Sequence, residues 1–135
     1  MKVFTTGIVT KLKAASGVTS ITSSYGGEEG IFSGTKVPPV AAMPYVLVKG
    51  PVANEPWEDK DQTQAFRVNY RCACVASTKG VADNLALAVH TALHRQSLTV
   101  SGFNVKDVRC GGPIEGPGDE EYASTWVGVE IKANA

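Results

Sequence analysis

The segment from Thr63 to Ala76 constrains the fold more than any other part of the sequence. Along it, apolar side chains alternate with polar or charged ones, which is the two-residue period of a β-strand with one buried face. The residues predicted to face the core are Phe66, Val68, Tyr70, Cys72 and Cys74. Arg67, Asn69 and Arg71 fall on the other face. A strand of this kind needs a second layer of structure against its apolar face.

Two amphipathic helices are predicted to supply that layer. The first runs from Lys2 to Ala15, where Ser16-Gly17 offers a stop signal. Its apolar stripe consists of Phe4, Ile8, Leu12 and Ala15. The second helix begins after an N-cap at Ser77 or Thr78 and runs to about Arg95. Its apolar face is formed by Val81, Ala82, Leu85, Ala88, Val89, Ala92 and Leu93.

Further strands are predicted where short apolar segments are bounded by glycine or proline. They are a short strand near Gly30–Phe32 and strands over Pro44–Lys49, Leu98–Val100, Phe103–Cys110 and Tyr122–Lys132. Three segments are predicted as loops: Ser20–Ala42, Ala53–Gln62 and Gly111–Gly118. This order of elements predicts an α+β fold in a single domain over residues 1–135, a mostly antiparallel β-sheet with two helices packed on one face.

The composition argues against several functions. Thirteen basic and thirteen acidic residues cancel, and the chain has no basic run that would bind nucleic acid through its phosphates, so no direct nucleic-acid specificity is expected. No segment approaches the ~20 apolar residues of a membrane helix, and Met1–Leu12 lacks the continuous apolar run of a secretion signal. We therefore expect no membrane partner and a reducing cytoplasm as the place of synthesis. With an odd count of 3 cysteines, we also expect no disulfide framework.

Cys72, Cys74, His90 and His94 are the most suggestive candidates for chemistry, because two thiols and two imidazoles can form a zinc site. The predicted elements separate the two pairs. The cysteines fall on the helix-facing side of their strand, whereas the histidines fall opposite the apolar stripe of their helix. The Cys-x-Cys spacing is also tighter than zinc sites usually have. We therefore interpret these residues as two buried thiols and two solvated histidines.

No active site is identified elsewhere. Cys110, at a strand end, is a candidate nucleophile, but no residue in the sequence pairs a base with it. The acidic groups Glu28-Glu29, Glu58-Asp59-x-Asp61 and Asp119-Glu120-Glu121 lie in predicted loops, whereas acid–base catalysis needs one desolvated carboxyl group. The glycines match no phosphate-binding or dinucleotide-binding motif. We expect a protein that is not an enzyme and uses no cofactor or metal; a small hydrolase or ligand-binding domain is the alternative.

Two features suggest contacts with other proteins. One is a stripe along the polar side of the second helix, in which an isolated leucine is surrounded by polar residues and could anchor a subunit seam. The stripe consists of Asp83, Leu87, His90 and His94. The other is a tryptophan in the predicted charged loop, which either packs against its own sheet or contacts a partner, since aromatic residues are frequent anchors of protein contacts. The candidate residues of this loop are Trp57, Glu58, Asp59 and Lys60.

The pattern of elements now resembles a known family. A strand that starts Met43-Pro44-Tyr45-Val46-Leu47-Val48 is followed by the alternating strand Gln64–Val75, and then by the helix Ala82–Leu93. This order is similar, over nearly the whole chain, to the tail terminator (tail-completion) proteins of long-tailed, siphovirus-like bacteriophages. The chain departs from that pattern in its glycine-rich segment before Pro44 and in its extended Gly111–Gly118 loop.

The resemblance implies a structural protein of the virion tail and neck, assembled in the host cytoplasm. It implies a homo-oligomeric ring, expected to be a hexamer, that ends tube polymerisation at the head-proximal end of the tail. The partners would be other copies of the chain, the tail tube protein and the head–tail connector or stopper protein. The loops Ala53–Gln62 and Gly111–Glu121 are candidates for axial contacts, and the candidate residues of the second loop are Glu115, Asp119, Glu120 and Glu121. Sheet edges and the Asp83–His94 stripe are candidates for lateral contacts. Another neck component, such as a head-closure or connector protein, is the alternative.

Overall fold

The protein folds as a five-stranded sheet with helices, as predicted. The computed structural model describes residues 2–22, 30–34, 43–58 and 64–134. Its elements are α1 (Lys2–Lys13), α2 (Ser16–Thr19), β1 (Ile31–Ser33), β2 (Tyr45–Glu58), β3 (Gln64–Ala76), α3 (Lys79–Leu93), β4 (Asn104–Glu115) and β5 (Ala123–Asn134). The strand order is β1-β2-β3-β5-β4, and all neighbouring pairs are antiparallel except the parallel pair β1–β2. This confirms the α+β prediction.

The core lies between the two long helices and one face of the sheet. From α1, Phe4, Ile8 and Leu12 are buried, and from α3, Leu85 and Val89 are buried in the same apolar cluster. The sheet contributes the predicted inward face of β3 and the residues of β5 that face the helices. These buried residues are Val68, Tyr70, Cys72, Cys74, Val127, Val129 and Ile131. Both helices therefore pack on one face, as their apolar stripes predict.

The second long helix has the predicted start and a slightly earlier end. The Thr78 side chain accepts a hydrogen bond from the Val81 backbone N–H at 3.4 Å, which satisfies one of the unpaired donors of the first turn. The helix ends at Leu93. Arg95 has a φ of 56°, in the left-handed region, so the helical path cannot continue to the predicted boundary.

The prediction of a loop over Ala53–Gln62 is wrong as far as Glu58. Strand β2 continues to that residue and pairs with β3, with Trp57 opposite Ala65 and Glu58 opposite Gln64. A register shift between Lys49 and Ala53 accommodates the Gly50-Pro51 pair that suggested a strand end. Beyond that shift, no third strand pairs with β2 in the described ranges, and edge strands tolerate proline. Asp59 and Lys60 lie outside the described residues.

The predictions around β4 also need correction. Leu98–Val100 is not a strand; its only sheet-like contact among the described residues is a single bridge from Val100 to Phe103, although Leu98 and Val100 are buried. Strand β4 runs past Cys110 to Glu115, so the predicted loop shortens to the residues between Glu115 and Ala123. A register shift between Gly111 and Ile114 accommodates the glycine and proline residues that indicated a loop.

Candidate assembly surfaces

The cysteines are held in a form that is inert at neutral pH. Cys72 and Cys74 are buried in the core, where the desolvation of the thiolate raises the pKa of Cys72 well above its usual value and that of Cys74 to about 12. Burial likewise raises the pKa of Cys110 to about 12. Because the thiolate is the nucleophile, the raised pKa values disfavour a nucleophilic role for all three side chains.

The two histidines occupy a structural position on α3. Their rings stack with centroids 4.7 Å apart, and His94 Nδ1 accepts a hydrogen bond from the Cys110 backbone N–H at 3.0 Å. The interpretation of two solvated histidines is therefore wrong for His94, which is half-buried and bonded to β4. Across the part of the chain that the structure describes, no group of three or more His, Cys, Asp or Glu side chains is placed to hold a metal ion.

Within the stripe on the polar side of α3, some residues are hydrogen-bonded inside the subunit and Leu87 is exposed. Asp83 Oδ1 accepts hydrogen bonds from Thr125 Oγ1 at 2.7 Å and from Lys79 Nζ at 2.9 Å. The pKa of the Asp83 carboxyl group is lowered mainly by the hydrogen bond from Thr125, and next by the hydrogen bond from Lys79. Asp83 and His94 thus bond to their own sheet, whereas Leu87 is 55% exposed. A contact role for the stripe stays a prediction, and Leu87 is the member best placed for it.

An apolar groove runs beside Leu87, between α3 and the turn that joins α1 to α2. It measures ≈ 500 Å³ and is lined on one side by Ala14, Ala15 and Gly17, and on the other by Leu87, Ala88 and Ala92. Sequence reasoning missed this groove, because the segment after α1 was interpreted only as a helix stop. The available signal was the run of small residues next to a helix that carries an exposed leucine.

The hairpin that joins β4 to β5 is closed by its own acidic residue. Asp119 Oδ1 accepts hydrogen bonds from the backbone N–H groups of Glu121 at 2.7 Å and Tyr122 at 3.2 Å. The Asp119 N–H in turn donates to the Tyr122 carbonyl at 2.9 Å. Asp119 therefore shapes the turn, whereas Glu120 and Glu121 project from it in exposed positions.

The strand end of the same hairpin exposes both an acidic and an apolar side chain. Glu115, the last residue of β4, is exposed and pairs with Thr125. Ile114 is 58% exposed, the largest exposed fraction among the large apolar side chains of the described residues. Sequence reasoning placed Ile114 in a loop and did not single it out. We call the segment from Gly111 to Tyr122 the acidic hairpin.

The face of the sheet without helices carries an aromatic cluster that sequence reasoning also missed. The Arg71 guanidinium lies 4.4 Å from the centroid of the Trp126 ring and Lys49 Nζ lies 5.5 Å from it. Phe32, Leu47 and Ala73 form a small buried cluster beside them. These residues come from four strands, so no local pattern in the sequence predicts that they form a cluster.

The remaining predicted contact residues in the described ranges lie at the end of the β2–β3 pair that is formed by the last residues of β2 and the first residues of β3. Trp57 and Glu58 are the last two residues of β2, so their backbone is part of the sheet and not of a loop. Their proposed contacts with a partner stay a prediction. No helix in the described ranges is long and apolar enough to cross a membrane.

Together these surfaces define a small α+β assembly subunit: the thiols are buried or protonated, the histidines serve the fold, and the exposed features are suited to protein contacts. The family model for the tail completion protein gp17 matches residues 6–112. The chain therefore belongs to the tail completion protein gp17 family, a structural and non-enzymatic component of the virion tail.

A solved structure supports the same fold. A chain in the virion of a native gene transfer agent particle superposes with a TM-score of 0.78 at 14% identity, over 96% of this chain and 93% of that chain. At this identity the likeness concerns the fold alone. No curated protein matches the sequence.

Proposed function

We propose that this tail completion protein forms a closed ring, a hexamer, on the head-proximal end of the tail tube. There it ends tube polymerisation and provides the joint to the head connector. The observation that carries the proposal is the family match over residues 6–112, which runs from α1 to the second half of β4 and so includes all the core elements except β5.

The geometry is suited to ring formation. Closed rings of identical subunits use heterologous contacts, in which two different surfaces of the subunit meet. The outer side of α3, with Leu87 55% exposed, supplies one lateral surface. Exposed apolar anchors within polar surroundings are typical of such contacts. The distal end of the β2–β3 pair, with Trp57 and Glu58, supplies an axial surface for the tail tube or the connector.

The direct test combines the purified chain with tail tubes of the same virion. Negative-stain images should show density that caps one end of each tube, and tubes grown in the presence of the chain should stop lengthening. A particle that binds portals and leaves tube ends bare would instead identify a head-closure or connector protein. Light scattering at several concentrations, alone and after mixing with tubes, gives the number of copies in the assembly.

A further inference from the structure

We propose that the acidic hairpin of one subunit docks into the apolar groove between α3 and the α1–α2 turn of the next copy. This inference rests on the proposed ring and specifies its lateral contact. It also moves Glu115, Glu120 and Glu121 from the axial role that the sequence suggested to a lateral one.

Charge is segregated between the two segments of the chain, although Lys79, Lys49 and Arg71 from other elements lie beside the β5 side of the hairpin. Residues 111–129 contain four carboxylates, Glu115, Asp119, Glu120 and Glu121, and no lysine or arginine. Residues 2–22, which form α1, α2 and the turn between them, contain Lys2, Lys11 and Lys13 and no acidic residue. Opposite fields of this kind steer two copies into one orientation and disfavour the symmetric one, in which like charges meet.

Three charged side chains of these surfaces make no ion pair within the described part of the subunit. Within the described ranges, Lys11, Glu120 and Glu121 make no ion pair with a residue of their own chain. Lys11 lines a hollow of ≈ 240 Å³ that continues the groove past Ala14 and Ala15 toward Gln96. A lysine therefore stands at the end of the groove, where an acidic side chain of a docked hairpin would find an opposite charge.

The shapes and positions of the two surfaces also favour the orientation in which the hairpin of one copy meets the groove of the next. The hairpin presents Ile114, 58% exposed, on the sheet face opposite to that of Glu115, and the groove presents Leu87, 55% exposed, along a floor of small side chains. The groove lies on the side of α3 that faces α1 and α2. The hairpin instead adjoins the N-terminal end of α3, where Thr125, the partner of Glu115 in the sheet, bonds Asp83. Two different sides of the subunit meet, as a ring requires.

Cysteine cross-linking tests the contact. The double variant Leu87→Cys, Ile114→Cys should form, under mild oxidation on tube-capping particles, a ladder of covalent multimers in denaturing gels. A mixture of the two single variants should give only a dimer that contains one copy of each, and each single variant alone should stay monomeric. The unaltered chain, whose native thiols are buried or half-buried, is the background control.

Charge reversal gives an independent measurement. Lys11→Glu should weaken self-association at least several-fold, Glu120→Lys with Glu121→Lys should do the same, and a mixture of the two variants should recover contacts between unlike copies. The weakening should be smaller at high salt, because solvent-exposed charges are screened there.

The outcomes separate this inference from the ring itself. A particle that caps tubes and has the mass of a ring, yet gives no ladder, overturns the hairpin contact and leaves the proposed function standing. A cross-linked dimer of Leu87→Cys alone would show a symmetric α3–α3 contact and also overturns it. Failure to cap tubes, together with a monomer mass at every concentration, removes both proposals.

Discussion

The imidazole of His94 accepts a hydrogen bond from the backbone N–H of Cys110, with 3.0 Å between Nδ1 and N. An acceptor at Nδ1 requires the ring proton to reside on Nε2. The next residue along, Arg95, donates its own N–H to the Val108 carbonyl at 2.7 Å. Two outward-facing backbone groups of β4, the edge strand of the sheet, are therefore occupied by the end of α3. This protects the edge from pairing with a strand of another chain over that stretch.

Removal of the His94 imidazole should destabilise the subunit. We expect His94→Ala to lower the free energy of unfolding by about 1–3 kcal/mol, because the Cys110 N–H is left without its partner in a half-buried position. Denaturant titration followed by circular dichroism measures the change. His90→Ala is the matched control: it removes the stacked ring and leaves the bond to β4, and should cost less. Equal losses in the two variants would show that the stacking, not the hydrogen bond, is what matters.

The periodic elements could be predicted from the sequence because each has one buried, apolar face. Most of the stripe of α1, the centre of the broad face of α3 and the inward residues of β3 and β5 are buried in the structure, whereas Ala15, Ala88 and Ala92 are only partly buried. The C-terminal ends of β2 and β4 were predicted wrongly for the same reason. Gly50-Pro51 and Gly112-Pro113 were interpreted as breaks, whereas the sheet passes both by a shift in register. Whether a strand survives such a pair depends on its neighbour, which a local pattern does not contain.

The assembly surfaces were only partly predictable for a similar reason. The exposed position of Leu87 follows from helical spacing alone. The groove beside it needs α1, α2 and α3 to be brought together, and the Trp126 cluster needs residues from four strands. The bond from His94 to Cys110 joins a helix end to an edge strand, and solvated histidines were the simpler expectation.

A side chain at Gly116 should disturb the acidic hairpin. A Cβ there would lie 2.5 Å from Ser124 Oγ and 2.7 Å from Trp126 Cδ1, and closer still to Trp126 Nε1, so the indole has to move. We expect Gly116→Ala to destabilise the subunit by about 1–3 kcal/mol, as overpacking does. In a Trp57→Phe background, in which Trp126 is the remaining tryptophan, its emission should shift. Gly128→Ala is the control, because nothing lies within 4 Å of its Cβ position; a silent Gly116→Ala would show that the indole packs elsewhere.

The buried thiols should make the fold sensitive to alkaline pH. Burial raises the pKa of Cys74 to about 12 from an ordinary value of 9.0. Below pH 9 the thiol is neutral in both the folded and the unfolded chain, so its contribution to stability is fully present. As the pH rises from about 9 toward 12, only the unfolded chain releases the proton, and stability falls by about 1.4 kcal/mol per pH unit for one such group.

Denaturant titrations in a reducing buffer at several pH values between 8 and 11 measure that slope. Cys74→Ala should make it shallower by the contribution of one proton. Val127→Ala, which also truncates a fully buried side chain of the core, should lower stability at every pH and leave the slope unchanged. An unaltered slope in Cys74→Ala would mean that this thiol ionises as readily in the folded chain as in the unfolded one.

A charge at Leu87 should abolish assembly and spare the fold. Because 55% of the side chain is exposed in the subunit, Leu87→Arg should change the free energy of unfolding by no more than about 0.5 kcal/mol. In a ring, the same position would be buried against Ile114 of a neighbour, where a longer, charged side chain loses the apolar contact and has to be desolvated. Light scattering should therefore give monomers, and tube ends should stay uncapped in negative stain. Thr6→Arg, on an exposed position of α1, adds the same charge away from the groove and should keep the native mass. A ring of unchanged mass in Leu87→Arg would remove Leu87 from the interface, because its apolar contact with the neighbour would have been lost without effect.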